Sequence, residues 1–209
     1  MKKIDFKKEF RTLYSASPKK VAYLEVPDMK YLSVDGKGPP EENPEFQEAI
    51  EALYGTAYTL KFMLKKKPEL QPQNYFDFVI PPLEAIWWMD GQEFDVEKKD
   101  EWKWAWMIMQ ADYVTDFLIE KSINELKEKK DSPALDKLQF KTVSGGKAVQ
   151  MLHVGPYDQV QVTIEKIASE LANKGFKCKG KHHEIYLSDP RKVPPEKLKT
   201  IVRHFYNEK

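Results

Sequence analysis

Apolar residues along this chain fall into two rhythms, one recurring every three or four residues and one alternating. The clearest helical run is Phe46, Ile50, Leu53, Ala57, Leu60 and Leu64, an apolar stripe down one side of a helix. Asn43 suits its N-cap and Pro44 its first turn, where a missing N–H costs nothing. Lys65-Lys66-Lys67-Pro68 closes it, with cations at the C-terminal end and proline beyond. A second helix is predicted from Asp112 to about Lys130, with Val114, Phe117, Ile119, Ile123 and Leu126 making a broad apolar face. A third is capped by Asp158, carries Val160, Ile164, Ile167 and Leu171, and stops at Gly175. Pro195 is read as opening a short last helix with Leu198, Ile201, Val202 and Phe205 on one face.

The alternating runs predict strands at 21–26, 29–34, 75–80, 84–89, 102–110, 138–143 and 148–154, a weak one at 176–179, and one within 182–190. In 102–110 both alternating faces are largely apolar: Trp102, Trp104, Trp106 and Ile108 on one, Ala105, Met107 and Met109 with Lys103 on the other. That is expected of a central strand covered on both sides. In 182–190 one face carries Ile185 and Leu187, and the other pairs a carboxylate with a phenol, Glu184 beside Tyr186. On open solvent Glu184 would mean little. At the floor of an apolar cleft it would be a functional group.

The chain repeats. Residues 29–34 followed by Gly38-Pro39 parallel 148–154 followed by Gly155-Pro156, and in each half a capped helix and two strands come next. The fold class expected is α+β: two pseudo-symmetric β-α-β-β units, at about 21–90 and 101–209, forming one antiparallel sheet with helices on one face. Residues 1–20 read as an N-terminal extension and 21–209 as a single domain. A central ligand cleft is expected on the concave face away from the helices, with Glu84 and Glu184 at related positions in the two halves.

Composition narrows the function. Lys+Arg 34 against Asp+Glu 33 is nearly balanced, so no global field recruits nucleic acid or an anionic membrane. A single cysteine, Cys178, gives neither a disulfide framework nor a cysteine zinc site. The four histidines lack metal-ligand spacing, and neither a P-loop nor a nucleophile-elbow pattern is present. No apolar stretch is long enough for a membrane span and no signal-peptide core opens the sequence, so a cytoplasmic location is expected. Five Trp, ten Tyr and eleven Phe are more aromatic surface than a core of this size needs, so one or two tryptophans are expected to line a ligand site.

Leu152-His153-Val154-Gly155-Pro156-Tyr157, 184–190 and Pro82-Leu83-Glu84-Ala85-Ile86-Trp87-Trp88 together resemble the GyrI-like small-molecule-binding domains. That group is related to multidrug-regulator effector domains and to the SOUL haem-binding fold. The 102–110 run and 195–201 are similar to its stand-alone branch. The resemblance implies two fused β-α-β-β units with a glutamate at the cleft floor. For the stand-alone branch it also implies hydrolysis of electrophilic cyclopropane-containing compounds in a detoxification role.

The catalytic candidates are Glu184, as a base with a pKa raised by its aromatic surroundings, and Tyr75 and Tyr157, as hydrogen-bond donors to the developing oxyanion. Candidates for ligand binding are Glu84, Trp87, Trp88, Trp104, Trp106, His153 and Tyr186, with sheet packing as the alternative for His153. No cofactor and no metal are expected. The expected partner is a hydrophobic aromatic small molecule, without nucleic acid or membrane, and the alternative to hydrolysis is non-catalytic sequestration of aromatic or cationic molecules.

Overall fold

The computed structural model of the protein describes residues 3–40, 43–91, 95, 97–130 and 132–207. Along the chain run β1 (Lys3–Ile4), α1 (Phe6–Glu9), α2 (Arg11–Tyr14), β2 (Ala22–Val26), β3 (Met29–Lys37) and α3 (Pro44–Lys66). Then come β4 (Asp77–Phe78), β5 (Leu83–Trp88), β6 (Lys103–Met109), α4 (Asp116–Lys127), β7 (Gln139–Val143) and β8 (Gly146–Val154). The chain ends with α5 (Gln161–Asn173), β9 (Lys177–Tyr186) and β10 (Lys199–Asn207). Eight strands make one antiparallel sheet in the order β2-β8-β10-β9-β5-β6-β3-β7, and β1 pairs with β4 separately. The class is therefore α+β with an open antiparallel sheet, as the repeat predicted.

The order displays the two repeats. Strands β3, β6 and β5 with α3 form the first, and β8, β10 and β9 with α5 the second, so β6, expected to open the unit at 101–209, instead completes the first unit by pairing between β3 and β5. They join edge to edge where β5 pairs with β9. Each repeat also lends its leading strand to the other: β2 extends the edge at β8, and β7 the edge at β3.

The last segment differs from expectation. Only residues 195–197 form a single 3-10 turn, and the predicted helix is the central strand β10, paired on both sides by β8 and β9. The spacing of Leu198, Ile201, Val202 and Phe205 fits a helix, but Thr200-Ile201-Val202 and Phe205-Tyr206 are β-branched and aromatic, and both faces of a central strand require burial. The two strands expected at 176–179 and 182–190 are one, β9. The strand expected over 75–80 shrinks to the two residues of β4. The second and third helices start later than their Asp residues suggested, α4 after Thr115 and α5 after a 3-10 turn at 157–159.

Helix α3 follows its prediction. The Asn43 side chain accepts from Glu45 N, and Leu53, Ala57, Leu60 and Leu64 are fully buried. Each such leucine contributes roughly 1.5–3 kcal/mol by leaving water. Its N-terminal half lies over the sheet: Phe46 packs edge-on against Trp106 at 4.8 Å and Trp104 at 5.5 Å. Gly36 makes this possible, because a Cβ there would sit 2.2 Å from the Trp104 ring. Helix α5 covers the other repeat on the same face, Ile167 and Leu171 meeting Val149, Met151 and Val202.

The opposite face is not bare. Helix α1, capped by Asp5, leads into α2, which lays Leu13 and Tyr14 against it. Arg203 Nη2 donates to Leu13 O at 2.6 Å, and Gln150 Nε2 to Thr12 O at 2.9 Å. The face expected to hold the cleft is thus closed by the N-terminal segment. None of the described helices is long and apolar enough to cross a membrane.

Candidate functional site

The pairing of β5 with β9 settles which side chains share a face. Ala85 is opposite Glu184 and Glu84 opposite Ile185. Directly paired residues point the same way, so Glu84 and Glu184 lie on opposite faces of the sheet and are not repeat-related equivalents. Glu184 is on the helix face. Glu84 is on the face sealed by α2, fully buried, and accepts from Tyr14 Oη at 2.9 Å, Tyr31 Oη at 3.1 Å and His183 Nε2 at 2.8 Å.

The cleft lies between α3 and the start of α5 and measures about 1540 Å³. Its floor is Leu83 and Trp87 of β5, Trp106 of β6, and Glu184 and Tyr186 of β9. One wall is α3, through Phe46, Ile50, Tyr54 and Tyr58, and the other carries Tyr157, Val160 and the loop 187–192. Trp102 closes the end beside Trp87, ring centres 5.5 Å apart, its indole N–H donating to Asp95 O.

Glu184 is 7% exposed and doubly held. Tyr186 Oη donates to Oε2 at 2.7 Å, and His182 Nε2 lies 2.7 Å from Oε1. Trp87 Nε1 in turn donates to Tyr186 Oη at 3.3 Å. Burial pushes the Glu184 carboxyl up and is the largest single influence. The hydrogen bond and charge of His182, the Tyr186 hydroxyl and the charge of His153 outweigh it, so Glu184 is held below the ordinary carboxylate value. That reverses the raised value expected from the aromatic surroundings: the strand supplies its own donors two residues either side. Burial and the adjacent negative charge of Glu184 push Tyr186 well up, so it stays a donor. Tyr157, its ring 5.5 Å from that of Tyr186, is raised by burial and then by the charges of Glu184 and Asp189.

Five of the sequence candidates therefore converge: Glu184, Tyr157, Tyr186, Trp87 and Trp106. The others lie elsewhere. Tyr75 packs edge-on against Tyr113 at 5.6 Å, in the connector before β4, away from the cleft. Trp88 shares the face of Glu84 and lies under the Lys181 ammonium, 3.3 Å from its ring centre. Trp104 is core beneath α3. His153 faces the right way but is spent on structure, with Nδ1 2.9 Å from Thr163 Oγ1 and Nε2 3.0 Å from Pro156 O. Phe46, Ile50, Tyr54 and Tyr58 went unrecognised as walls. Their steps of four residues are readable, but the same spacing places Phe46 and Ile50 in the core stripe.

The chain matches the GyrI-like small molecule binding domain over residues 19–203. Among curated proteins none matches it. It is similar to a hydrolase of Listeria innocua, 40% identical with a TM-score of 0.88 over 99% of this chain and 100% of that one. A second L. innocua structure described as a hydrolase is 38% identical, with a TM-score of 0.85 over 98% of this chain and 100% of that one. The C-terminal domain of EcmrR shares the fold at 13% identity, with a TM-score of 0.56 over 91% of this chain and 98% of that one. A paired sheet of two repeats with a carboxylate-floored cleft, matched over most of its length, makes this chain a member of the GyrI-like small-molecule-binding family.

Proposed function

We propose that this protein hydrolyses aromatic electrophiles carrying a cyclopropane conjugated to a carbonyl, in the cleft between α3 and α5. The observation that carries the reading is an ionised carboxylate, fixed by two donors, on an otherwise apolar and mostly aromatic floor. The hydrolase descriptions of the two L. innocua relatives support the reaction class. The flat ring of the substrate stacks among Phe46, Trp87, Trp102 and Trp106. Each Glu184 oxygen accepts one protein donor and keeps a lone pair for a water. Glu184 takes a proton from that water as its oxygen bonds to a cyclopropane carbon. The ring C–C bond breaks, its electron pair passes through the conjugated system to the carbonyl oxygen, and that oxygen is finally protonated. The product is an alcohol and a phenol or enol, one water heavier than the substrate. Tyr157, with a hydroxyl kept protonated, is the donor to the developing oxyanion; Tyr75 is too remote for that role. Release of ring strain drives the reaction, so a positioned base worth about 10²–10⁴ suffices.

A second reading rests on one observation. Because Glu184 is held ionised, the same cleft suits a flat aromatic cation retained without chemistry. Incubation with a neutral cyclopropane-bearing dienone, followed by mass spectrometry, separates the two. Gain of one water that is lost in Glu184→Gln supports hydrolysis. Tight binding with the compound returned unchanged overturns it in favour of sequestration.

A further inference from the structure

We propose that His182, braced by His204, is a positioning residue that holds the Glu184 carboxylate in the orientation its role in the cleft requires. The inference rests on the function proposed above. His182 is two residues before Glu184 on β9, so both project from the helix face. It is 2% exposed, and its Nε2 lies 2.7 Å from Glu184 Oε1. An ionised carboxylate only accepts, so the proton on this contact is carried by His182 Nε2. Its other nitrogen, Nδ1, lies 2.9 Å from His204 Nε2, with one proton between the two rings.

The backbone is built to make this contact. The β9–β10 ladder is regular down to Arg203 opposite His183, then resumes at Phe205 opposite Lys179. Residues 180–182 of β9 therefore face His204 alone, a bulge opened by Gly180 at φ 78°. Bulges of this kind re-aim a side chain and concentrate beside functional sites. Here the slip turns the His204 ring towards His182, their centres 5.0 Å apart. Burial and repulsion from His182 and His183 push His204 down to about 3, so it braces His182 as a neutral ring.

Among the described residues, the titratable groups around the pair include His183 and Tyr186 on β9, His153 on β8, Tyr54 on α3, Tyr157 and Asp158 before α5, and Asp189 in the loop after β9. Of these only Tyr186 also bonds Glu184, and it binds the other oxygen. Without His182, Oε1 loses its donor, burial acts unopposed on that side, and the carboxylate is free to rotate about its terminal bonds.

Two readouts test this in His182→Leu, His182→Gln and His204→Phe. The first is the carbon-13 titration of the Glu184 carboxyl in the ligand-free protein, assigned with Glu184→Gln. His182→Leu moves the midpoint up by about one unit or more, and His204→Phe moves it less in the same direction. The second is turnover of the neutral cyclopropane substrate. His182→Leu lowers kcat about tenfold to a hundredfold with KM nearly unchanged, and its acid limb shifts to higher pH. His182→Gln, whose amide nitrogen can donate to Oε1, regains most of kcat. A wild-type midpoint in the Leu variant, or in His204→Phe should the Leu variant not fold, overturns the inference. Absence of turnover in the wild type would instead overturn the hydrolase reading, and the titration would still decide whether His182 holds the carboxylate.

Discussion

Two buried glutamates stand back to back on neighbouring central strands, and their surroundings diverge. Glu84 accepts from two tyrosines and a histidine and is sealed beneath α2. Glu184 accepts from one tyrosine and one histidine and opens onto the cleft. Both are held below the ordinary carboxylate value against the push of burial, so charge state does not tell them apart. What differs is vacancy. A buried carboxylate with every neighbour supplied by the protein has no reason to bind anything. One that keeps lone pairs facing an aromatic cleft can take a water or a cation. The polar pair His183–Glu84 is part of the fold, and His182–Glu184 is the candidate machinery.

The largest expected contrast is in turnover. Glu184→Gln lowers it by about 10²–10⁴ while affinity for a neutral aromatic compound stays within a few-fold. Glu84→Gln leaves turnover by the folded protein within about threefold, there being no contact with the cleft. Equal losses in the two variants, measured in one assay, would erase the distinction.

Stability should invert that order. Glu84→Gln costs about 1.5–3 kcal/mol, the worth of a hydrogen bond to a charged group. Tyr14→Phe costs about 1–2 kcal/mol and loosens the α2 segment from the sheet. Urea midpoints check both, and a Tyr14→Phe midpoint equal to wild type would mean the N-terminal segment is not anchored there.

Acid should attack the buried polar groups of both faces, the sealed pair adding to His204 and Glu184. Burial, the largest single influence, pushes Glu84 up, but the hydrogen bond and charge of His183, the charge of Arg203 and the Tyr14 hydroxyl together hold it below its ordinary 4.5. His183 sits below its ordinary 6.5 because burial disfavours its cation. The unfolded chain therefore binds more protons than the folded one as pH falls. This stabilisation is complete above the ordinary histidine value, declines as pH drops through 6.5 and declines further through 4.5. Thermal melts should give a Tm that falls steadily on acidification over this range. A Tm that holds or rises would contradict it. The smallest effect belongs to Tyr75→Phe, which changes turnover by less than about twofold, since that hydroxyl is remote from the cleft.

Much of this was legible along the chain. Asn43, Pro44 and the triple lysine delimited α3 because capping and dipole effects act within a turn. The alternation of Glu184 and Tyr186 against Ile185 and Leu187 put a carboxylate and a phenol on one face, because the pleat has a period of two. The tandem β-α-β-β pattern gave the paired sheet, and the Gly155-Pro156 corner marked where Tyr157 enters the cleft. The segment 198–205 misled, since a spacing of three and four in so short a run fits either a helix stripe or a strand buried on both faces.

What the tertiary structure alone decided turns on pairings between distant segments. Glu84 and Glu184 look alike in sequence, and only the β5–β9 register places them on opposite faces, since a shift of one residue would bring both to the same face. The cleft lies on the helix side because α3 and α5 leave a gap over the central strands, while residues 3–20, unremarkable in sequence, cover the other side through Tyr14 on Glu84 and the Leu13 carbonyl on Arg203. His182 and His204 meet through a ladder slip that no local pattern announces. Local sequence fixes which way a side chain points relative to its neighbours; what it meets there is set by a surface assembled from residues a hundred positions away.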